Sequence, residues 1–404
     1  MKFIHLADTH LDSPFLGLSF LPSNQFNQIK KATENSFTKI VDYAIDNQVD
    51  LVLLAGDNFD SIHPSPHSQL FFKEQLDRLI DNKIQVVMIL GNHDYMKIQD
   101  LILPQSPYFK LLGQNQEIEK VSLQTKTGFK YDVVGFSYQQ NHIHEDMALK
   151  FPTKSSNYTI GLMHAGQAAN KNQDNYAPFK LSELQNLNYD YFALGHIHLR
   201  QTLSQNPLIA YSGNIQGRHI NESGEKGFLL GQVDENTKAT SINFVPTSDI
   251  IWQRAELKLN APLSRTQLIE KVVQILAQNN HQTTLFGLTI NGAQYLSDED
   301  REFLLDSDAW LEISKQLDFD SSLVKIYLTD KVDISLSNND QDYFNQAKQE
   351  VLSHDYLLQL AKSLAKKSEY AQKIIDDPSF FKEVEKMATV KLGHDLRDIE
   401  DETD

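Results

Sequence analysis

The stretch Asp50-Leu51-Val52-Leu53-Leu54-Ala55-Gly56-Asp57-Asn58-Phe59-Asp60 decides how this chain is read. Its first six residues form a short apolar run with the length and branching of a buried strand. A polar Gly-Asp-x-x-Asp motif follows where that strand should end. Working outward, Phe3 to Ala7, Ile84 to Leu90, Tyr131 to Phe136, Thr159 to Met163 and Tyr191 to Leu194 are similar runs. Four of these lead into Asp8-Thr9-His10, Gly91-Asn92-His93-Asp94, the end of Gly161-Leu162-Met163-His164, and Gly195-His196-Ile197-His198. Helical spacing fills the intervals: Asn27 to Asn47 carries Ile29, Phe37, Ile40, Val41, Ala44 and Ile45, and Ser65-Pro66 opens a second helix. Alternating strands and helices predict an α/β layered domain, and such sheets gather ligands at the carboxyl ends of their strands.

The motifs supply Asp, Asn and His side chains in the numbers needed for two divalent ions. The chain has no cysteine, so any metal must rest on oxygen and imidazole. Asp57 is the candidate bridge, because a carboxylate can give one oxygen to each ion. Asp8 and His10, two residues apart, would share one side of an extended segment and bind one ion together. His196 and His198 repeat the spacing, and each could face a different ion if the loop bends. Asn92 adds a neutral oxygen, while His93 points elsewhere and stays free for proton transfer.

Taken singly, each motif has a plainer reading. Asp-x-His arises by chance, Gly-Asn-His-Asp suits a turn, and His164 could be a satisfied buried histidine. Five in order, each after an apolar run, favour a two-metal site, and such a site predicts phosphoester hydrolysis.

At 404 residues the chain should hold more than one domain. It contains no run of about 18 apolar residues, and Lys2 to Ala7 is strand-like rather than a signal peptide; a cytoplasmic protein without membrane contact is expected. The net charge of −17 argues against a nucleic-acid partner until its distribution is considered. Residues 1–250 carry 20 basic and 26 acidic side chains, net −6, and residues 251–404 carry 17 and 28, net −11. Two divalent ions would cancel most of the first figure.

The expected organisation is a catalytic domain over 1–250, a small α+β domain over 251–335, a helical region over 336–394 and an acidic tail over 395–404. Ser264 and Gln267 form a capping-box pattern before Leu268, and Thr284 to Ile290 and Ile326 to Leu328 look like strands. Beyond Asn338, Tyr343, Phe344, Ala347 and Val351 make one helical stripe and Leu357, Leu360, Ala361 and Leu364 another, and Asp377-Pro378 restarts a last helix. The final ten residues hold six acids and one arginine, a composition expected to be disordered.

The five motifs, in this order, resemble the pattern of calcineurin-type metallophosphoesterases over residues 1 to about 240. Within that superfamily His5-Leu6-Ala7-Asp8-Thr9-His10-Leu11-Asp12, Ala193 to His198 and Ala210-Tyr211-Ser212-Gly213-Asn214 are similar to the SbcD/YhaO group of DNA repair exonucleases. Asp12-Ser13-Pro14-Phe15 looks like the YhaO members in particular. The resemblance implies a four-layer β-sandwich flanked by helices, with a small α+β capping domain that helps present DNA. It places Asp8, His10, Asp57 and His198 on one ion and Asp57, Asn92, His164 and His196 on the other, with manganese as the usual metal. His93 would be the catalytic group that protonates the leaving oxygen or stabilises phosphoryl charge.

Many archaeal and eukaryotic members place a second histidine where this chain has Asp60, so Asp60 is expected to orient a ligand or a loop. The resemblance also implies DNA as substrate, an SMC-like ATPase docked by the C-terminal helices, and a homodimer through the helices of 27–47 and 66–80. A phosphodiesterase for cyclic nucleotides or other small phosphodiesters, or a phosphatase, is the alternative; Asp94 in place of the phosphatases' glutamate counts against the last. An inactive scaffold is disfavoured by the complete ligand set. The glycine-punctuated stretch 213–227, with Arg218, His219, Glu222, Glu225 and Lys226, is either a phosphate-contacting loop or a solvated connection between strands.

Overall fold

The computed structural model describes residues 1–168 and 176–329, with isolated residues and short runs between 346 and 388. Twelve strands build its larger part. In chain order they are β1 (Lys2–Leu6), β2 (Leu51–Ala55), β3 (Gln85–Ile89), β4 (Phe109–Leu111), β5 (Glu119–Gln124), β6 (Lys130–Gly135), β7 (Tyr158–His164), β8 (Tyr191–Gly195), β9 (Gln201–Gln205), β10 (Leu208–Tyr211), β11 (Gly227–Val233) and β12 (Thr240–Pro246). They form two six-stranded sheets, ordered β12-β11-β1-β2-β3-β4 and β5-β6-β7-β8-β10-β9. β1, β2 and β3 run parallel to one another, as do β7 and β8, so each group delivers its carboxyl ends to one edge.

Side-chain alternation explains why the sheets stack. In β2, Leu51, Leu53 and Ala55 point one way and join Val87, Ile89, Val133, Ile160, Leu162 and Ala193 in a core between the sheets. Val52 and Leu54 point the other way, into a second core with Phe37, Ile40, Val41, Phe72 and Leu76 from the helices. β8 divides in the same manner: Phe192 and Leu194 face a third core with Phe179 and Leu184. The inner strands β2 and β8 are apolar on both faces because both faces are covered, as strands between layers must be, whereas the edge strands β5, β9 and β12 are partly exposed. The result is the expected four-layer α/β/β/α sandwich.

The helical spacing of 27–47 resolves into two helices, α1 (Ser23–Lys30) and α2 (Ala32–Asp46), separated at Lys31. The pattern reads as one because Ile29 and Ala32 are both buried across the break. α3 (Pro66–Asp81) starts as expected, with Pro66 in its first turn and the Ser65 hydroxyl accepting from the Ser68 amide. Asp12 strengthens that start, accepting from the Ser65 amide at 2.5 Å and the Ser68 hydroxyl at 2.5 Å. The short helix α4 (Leu181–Asn186) precedes β8.

From residue 251 the chain adds a three-stranded sheet, β13 (Ile251–Lys258), β14 (Thr284–Asn291) and β15 (Ser322–Thr329), with helices α5 (Arg265–Ala277), α6 (Asp298–Leu305) and α7 (Ser307–Ser314). The Ser264–Gln267 capping box is present: the Gln267 side chain accepts from the Ser264 amide at 3.1 Å. The chain divides into two compact units, one of Met1–Ala255, Val273–Gly287 and Asp306–Lys325, the other of the remaining segments. In the second, Leu257, Leu268, Leu288, Ile290 and Leu304 are buried, and Arg265 pairs with Asp300 at 2.8 Å. The stripes anticipated beyond Asn338 fall largely outside the described residues, as do Asp377-Pro378 and the acidic tail. Among the described residues no helix is long and apolar enough to cross a membrane.

Candidate metal centre

All five motifs arrive at one place, because the carboxyl ends of β1, β2, β3, β7 and β8 meet there. The segment after β1 runs beside the segment after β2: the Asp8, His10 and Leu11 amides donate to the carbonyls of Gly56, Asp57 and Asn58 at 3.1, 3.0 and 3.0 Å. The expectation of an extended Asp8-Thr9-His10 is corrected here. Asp8 and His10 have φ of 52° and 47°, and Asp57 has 52°. Non-glycine residues rarely adopt this left-handed conformation, which costs on the order of 1–3 kcal/mol apiece. Asp8 and His10 still reach a common point, through two tight bends rather than one extended face. His196, at φ 94°, supplies the bend that sends it and His198 to different neighbours.

Three groups of potential ligand atoms cluster tightly: Asp8 with His10 and His198, Asp8 with Asp57 and His164, and His10 with Asp60 and His93. Asp8, His10, Asp57 and His164 are essentially inaccessible to solvent. Around the first group, His198 Nδ1 donates to Glu222 Oε1 at 2.6 Å and His10 Nδ1 lies 3.2 Å from Asp60 Oδ1. Glu222 keeps the proton on His198 Nδ1, and the Asp60 carboxylate faces His10 Nδ1 without closing a hydrogen bond, so Nδ1 tautomers leave each Nε2 with its lone pair. The two Nε2 atoms lie 3.1 Å apart, with Asp57 Oδ2 3.8 Å from one and Asp8 Oδ1 3.8 Å from the other. Lone pairs facing each other beside two carboxylates repel unless a cation lies among them.

The second group makes the same demand. His164 Nδ1 donates to the Ala55 carbonyl at 2.9 Å, and its Nε2 faces Asn92 Oδ1 at 2.9 Å and Asp57 Oδ2 at 3.2 Å. Each of these oxygens facing the ring nitrogens is an acceptor. Burial works against a charge on His164, but Asp57 outweighs it and pushes the pKa up to about 9; a proton there fills the place of a metal. His196 Nδ1 reaches the same Asn92 oxygen at 3.2 Å. Burial, with His164 close by, brings His196 down to about 3, and burial with Arg218 nearby does the same to His10. Both rings are neutral, as ligands must be. Burial alone would raise Asp57, yet His164 and His93 hold it well below the ordinary range. The donor set of imidazole, carboxylate and amide oxygen fits divalent ions of the hard or borderline kind.

His93 belongs to the third group, with His10 and Asp60, and to neither of the other two. Its amide donates to Asp57 Oδ1 at 2.9 Å, and its Nδ1 donates to the Asp60 carbonyl at 3.1 Å, which leaves Nε2 unengaged by them. Its ring meets that of His10 edge-on at 5.0 Å. Asp94 ties two motifs together by accepting from the amides of Asn58 and Gly91, each at 2.6 Å. Burial, then the Asp57 charge, pushes Asp94 up to about 6.

In the stretch 213–227, Arg218 is tied into the protein: its Nη1 donates to Asp60 Oδ1 at 2.7 Å, and its amide donates to Glu222 Oε2 at 2.8 Å. Glu222, whose role the sequence did not disclose, also accepts from Asn214 Nδ2 at 2.8 Å. Burial opposes ionisation of Glu222, but Arg218 and His198 keep it well below its usual pKa. The Asp60 carbonyl accepts from His93 Nδ1, and the Asp60 carboxylate lies 3.2 Å from His10 Nδ1.

Comparison with known proteins agrees with this geometry. Residues 1–200 match the family model described as calcineurin-like phosphoesterase. The uncharacterized metallophosphoesterase YhaO of Bacillus subtilis is 36% identical over 275 residues, which cover 67% of this chain and 66% of that protein. The DNA double-strand break repair protein Mre11 of Methanocaldococcus jannaschii is 23% identical over 90% of this chain and 94% of its own length. A subunit of the nuclease SbcCD of Bacillus subtilis is 25% identical over 74% of this chain and 81% of its own length. With the motifs, the four-layer sandwich and the converging histidines and carboxylates in place, the chain belongs to the calcineurin-like metallophosphoesterases.

Proposed function

We propose that the protein is a two-metal phosphodiesterase that cuts DNA. The observation that carries this reading is the pair of imidazole lone pairs on His10 and His198, held 3.1 Å apart beside buried Asp8 and Asp57. In the proposed assignment Asp8, His10, Asp57 and His198 hold one ion, and Asp57, Asn92, His164 and His196 hold the other, manganese being the expected metal. The chemistry such ions supply when bound is activation of water toward phosphorus and neutralisation of phosphoryl charge.

The chain's own residues do the rest. Asp57 Oδ1 accepts from the His93 amide, which turns Oδ2 toward both His10 and His164 before any ligand arrives. The Asp60 carbonyl holds His93 Nδ1, leaving Nε2 to carry a proton to the departing oxygen. Glu222 keeps His198 in the tautomer that presents Nε2, and the Asp60 carboxylate beside His10 Nδ1 favours the same tautomer there.

DNA is favoured over a small diester by the relatives named for DNA repair and nuclease activity. The region from 251 is proposed as the capping domain that presents it. The region 336–394, expected from its sequence to be helical, is proposed to dock an SMC-like ATPase, an association that deleting 340–404 would abolish. α1, α2 and α3 are proposed to form a homodimer, which a monomer mass in light scattering would rule out.

The test is manganese-dependent cleavage of end-labelled linear duplex and single-stranded DNA beside bis-p-nitrophenyl phosphate. Cleavage of DNA is expected, and is expected to drop sharply in His93→Ala. Cleavage of the small diester alone, with every DNA form intact even beside an ATPase partner, would return the reading to a small-molecule phosphodiesterase.

A further inference from the structure

A cavity of about 250 Å³ opens directly beside His198, walled by the residues that follow the last metal motif and by β11 and β12. Two cations line it. Lys226 is only 9% exposed, and its ammonium donates to the His198 carbonyl at 3.3 Å. Among the described residues no carboxylate lies within ion-pair distance of it. A buried ammonium usually has an anionic partner, because its desolvation is otherwise uncompensated. Arg200, exposed at the mouth, lays its guanidinium 3.4 Å above the Phe244 ring. Glu225 is the one acid among the lining residues, so the wall carries two positive charges and one negative, net +1. That balance matches a single phosphodiester better than a dianionic phosphate.

We propose that this cavity is a nucleotide subsite, in which Lys226 takes the phosphodiester next to the scissile one and Arg200, backed by Phe244, stacks on the adjoining base. The inference rests on the nuclease reading and deepens it. His198 belongs to both places: its ring faces the metal centre and its carbonyl anchors Lys226, so a strand held here continues into the centre. Guanidinium and aromatic planes suit any base, so the subsite recognises a strand without reading its sequence. It also gives a physical reason for an acidic protein to hold DNA, since the favourable charge is concentrated beside the chemistry instead of spread over the surface.

The experiment is fluorescence-anisotropy binding of a phosphorothioate-linked (dT)12 strand to the full chain in manganese, repeated across a salt series. Arg200→Ala and Lys226→Met are each expected to weaken binding by about tenfold, and Lys226→Met alone to reduce the salt slope by about one phosphate contact, with Lys226→Arg restoring most of it. Thermal melting checks that Lys226→Met folds; Arg200 is exposed, so Arg200→Ala carries the test should that variant fail. Affinities within twofold of the wild type in both variants would overturn the subsite while leaving the nuclease reading intact. A wild-type chain that binds no strand and cleaves only bis-p-nitrophenyl phosphate would remove both.

Discussion

Arg218 and Asp60 are 158 residues apart in the chain and 2.7 Å apart in space, joined by a bond from Nη1 to Oδ1. Glu222 stands on the other side of the same guanidinium, 3.5 Å from Nη2. Each of these carboxylates faces Nδ1 of one histidine, His10 or His198, so one cation sets the approach of two candidate ligands.

Arg218→Ala is therefore expected to act at a distance from the metals. It leaves two buried carboxylates without their shared partner, a loss of about 3–5 kcal/mol where a buried pair is broken. Manganese affinity should fall about 10- to 100-fold through the loosened imidazoles. Calorimetric titration and urea unfolding measure the two effects separately. Arg218→Lys should recover little, because an ammonium lacks the fork that reaches both carboxylates. Unchanged metal affinity in the alanine variant would show that Asp60 and Glu222 hold the histidines without it.

Asp57 and His93 touch through a backbone amide yet are expected to fail differently. Asp57→Ala removes an oxygen that both His10 and His164 face, so metal and activity should vanish together. His93→Ala keeps the amide that positions Asp57, so both ions should stay while kcat drops by about 10²- to 10⁴-fold. Anomalous scattering at the manganese edge counts the ions in each variant. Loss of an ion from His93→Ala would make His93 a ligand rather than an acid.

How much of this was legible depends on how local each signal is. The strands feeding the centre were visible because Leu51 to Ala55 and its counterparts are short apolar runs followed at once by ligand-type residues. The bends at Asp8 and His10 were not, since a two-residue spacing suggests an extended segment and the carbonyls that impose the bends belong to Gly56 and Asp57. Strand β11 was hidden by its glycines. Gly231 sits in mid-strand, where a side chain would meet the Phe3 ring at 2.1 Å, so a residue that looks like a strand breaker is there for packing. Arg218 gave no periodic signal, because its partner Asp60 lies in another motif.

Gly91 offers a test of how tightly the centre is built. A methyl group there would lie 2.2 Å from Asp57 Oδ1 and 2.7 Å from the Asp57 amide, and backbone cannot yield cheaply. Gly91→Ala should displace the candidate bridging carboxylate and cost at least about tenfold in manganese affinity. Gly166→Ala is the control: its methyl group would meet His196 at an ordinary 3.5 Å. Calorimetric titration should find the control within about twofold of the wild type. Equal affinity for both variants would mean that Asp57 has room to move.

His5 carries a prediction about pH. It is fully buried between the sheets, its Nε2 donating to the Leu194 carbonyl at 3.1 Å and its Nδ1 accepting from the Tyr191 hydroxyl at 2.7 Å. A second proton has no acceptor, and burial lowers the pKa from 6.5 to about 3. The unfolded chain therefore takes up a proton below about pH 6.5 that the folded chain refuses until about pH 3. His5 thus makes no demand above pH 6.5, and stability falls by about 1.4 kcal/mol per pH unit beneath it. His5→Gln removes that dependence while other buried histidines keep theirs. Urea unfolding at pH 7.5 and 5.5 should show the wild type losing about 1.4 kcal/mol more than the variant between the two. Equal losses would mean that His5 is protonated in the folded protein, with the Tyr191 hydroxyl turned to accept from it.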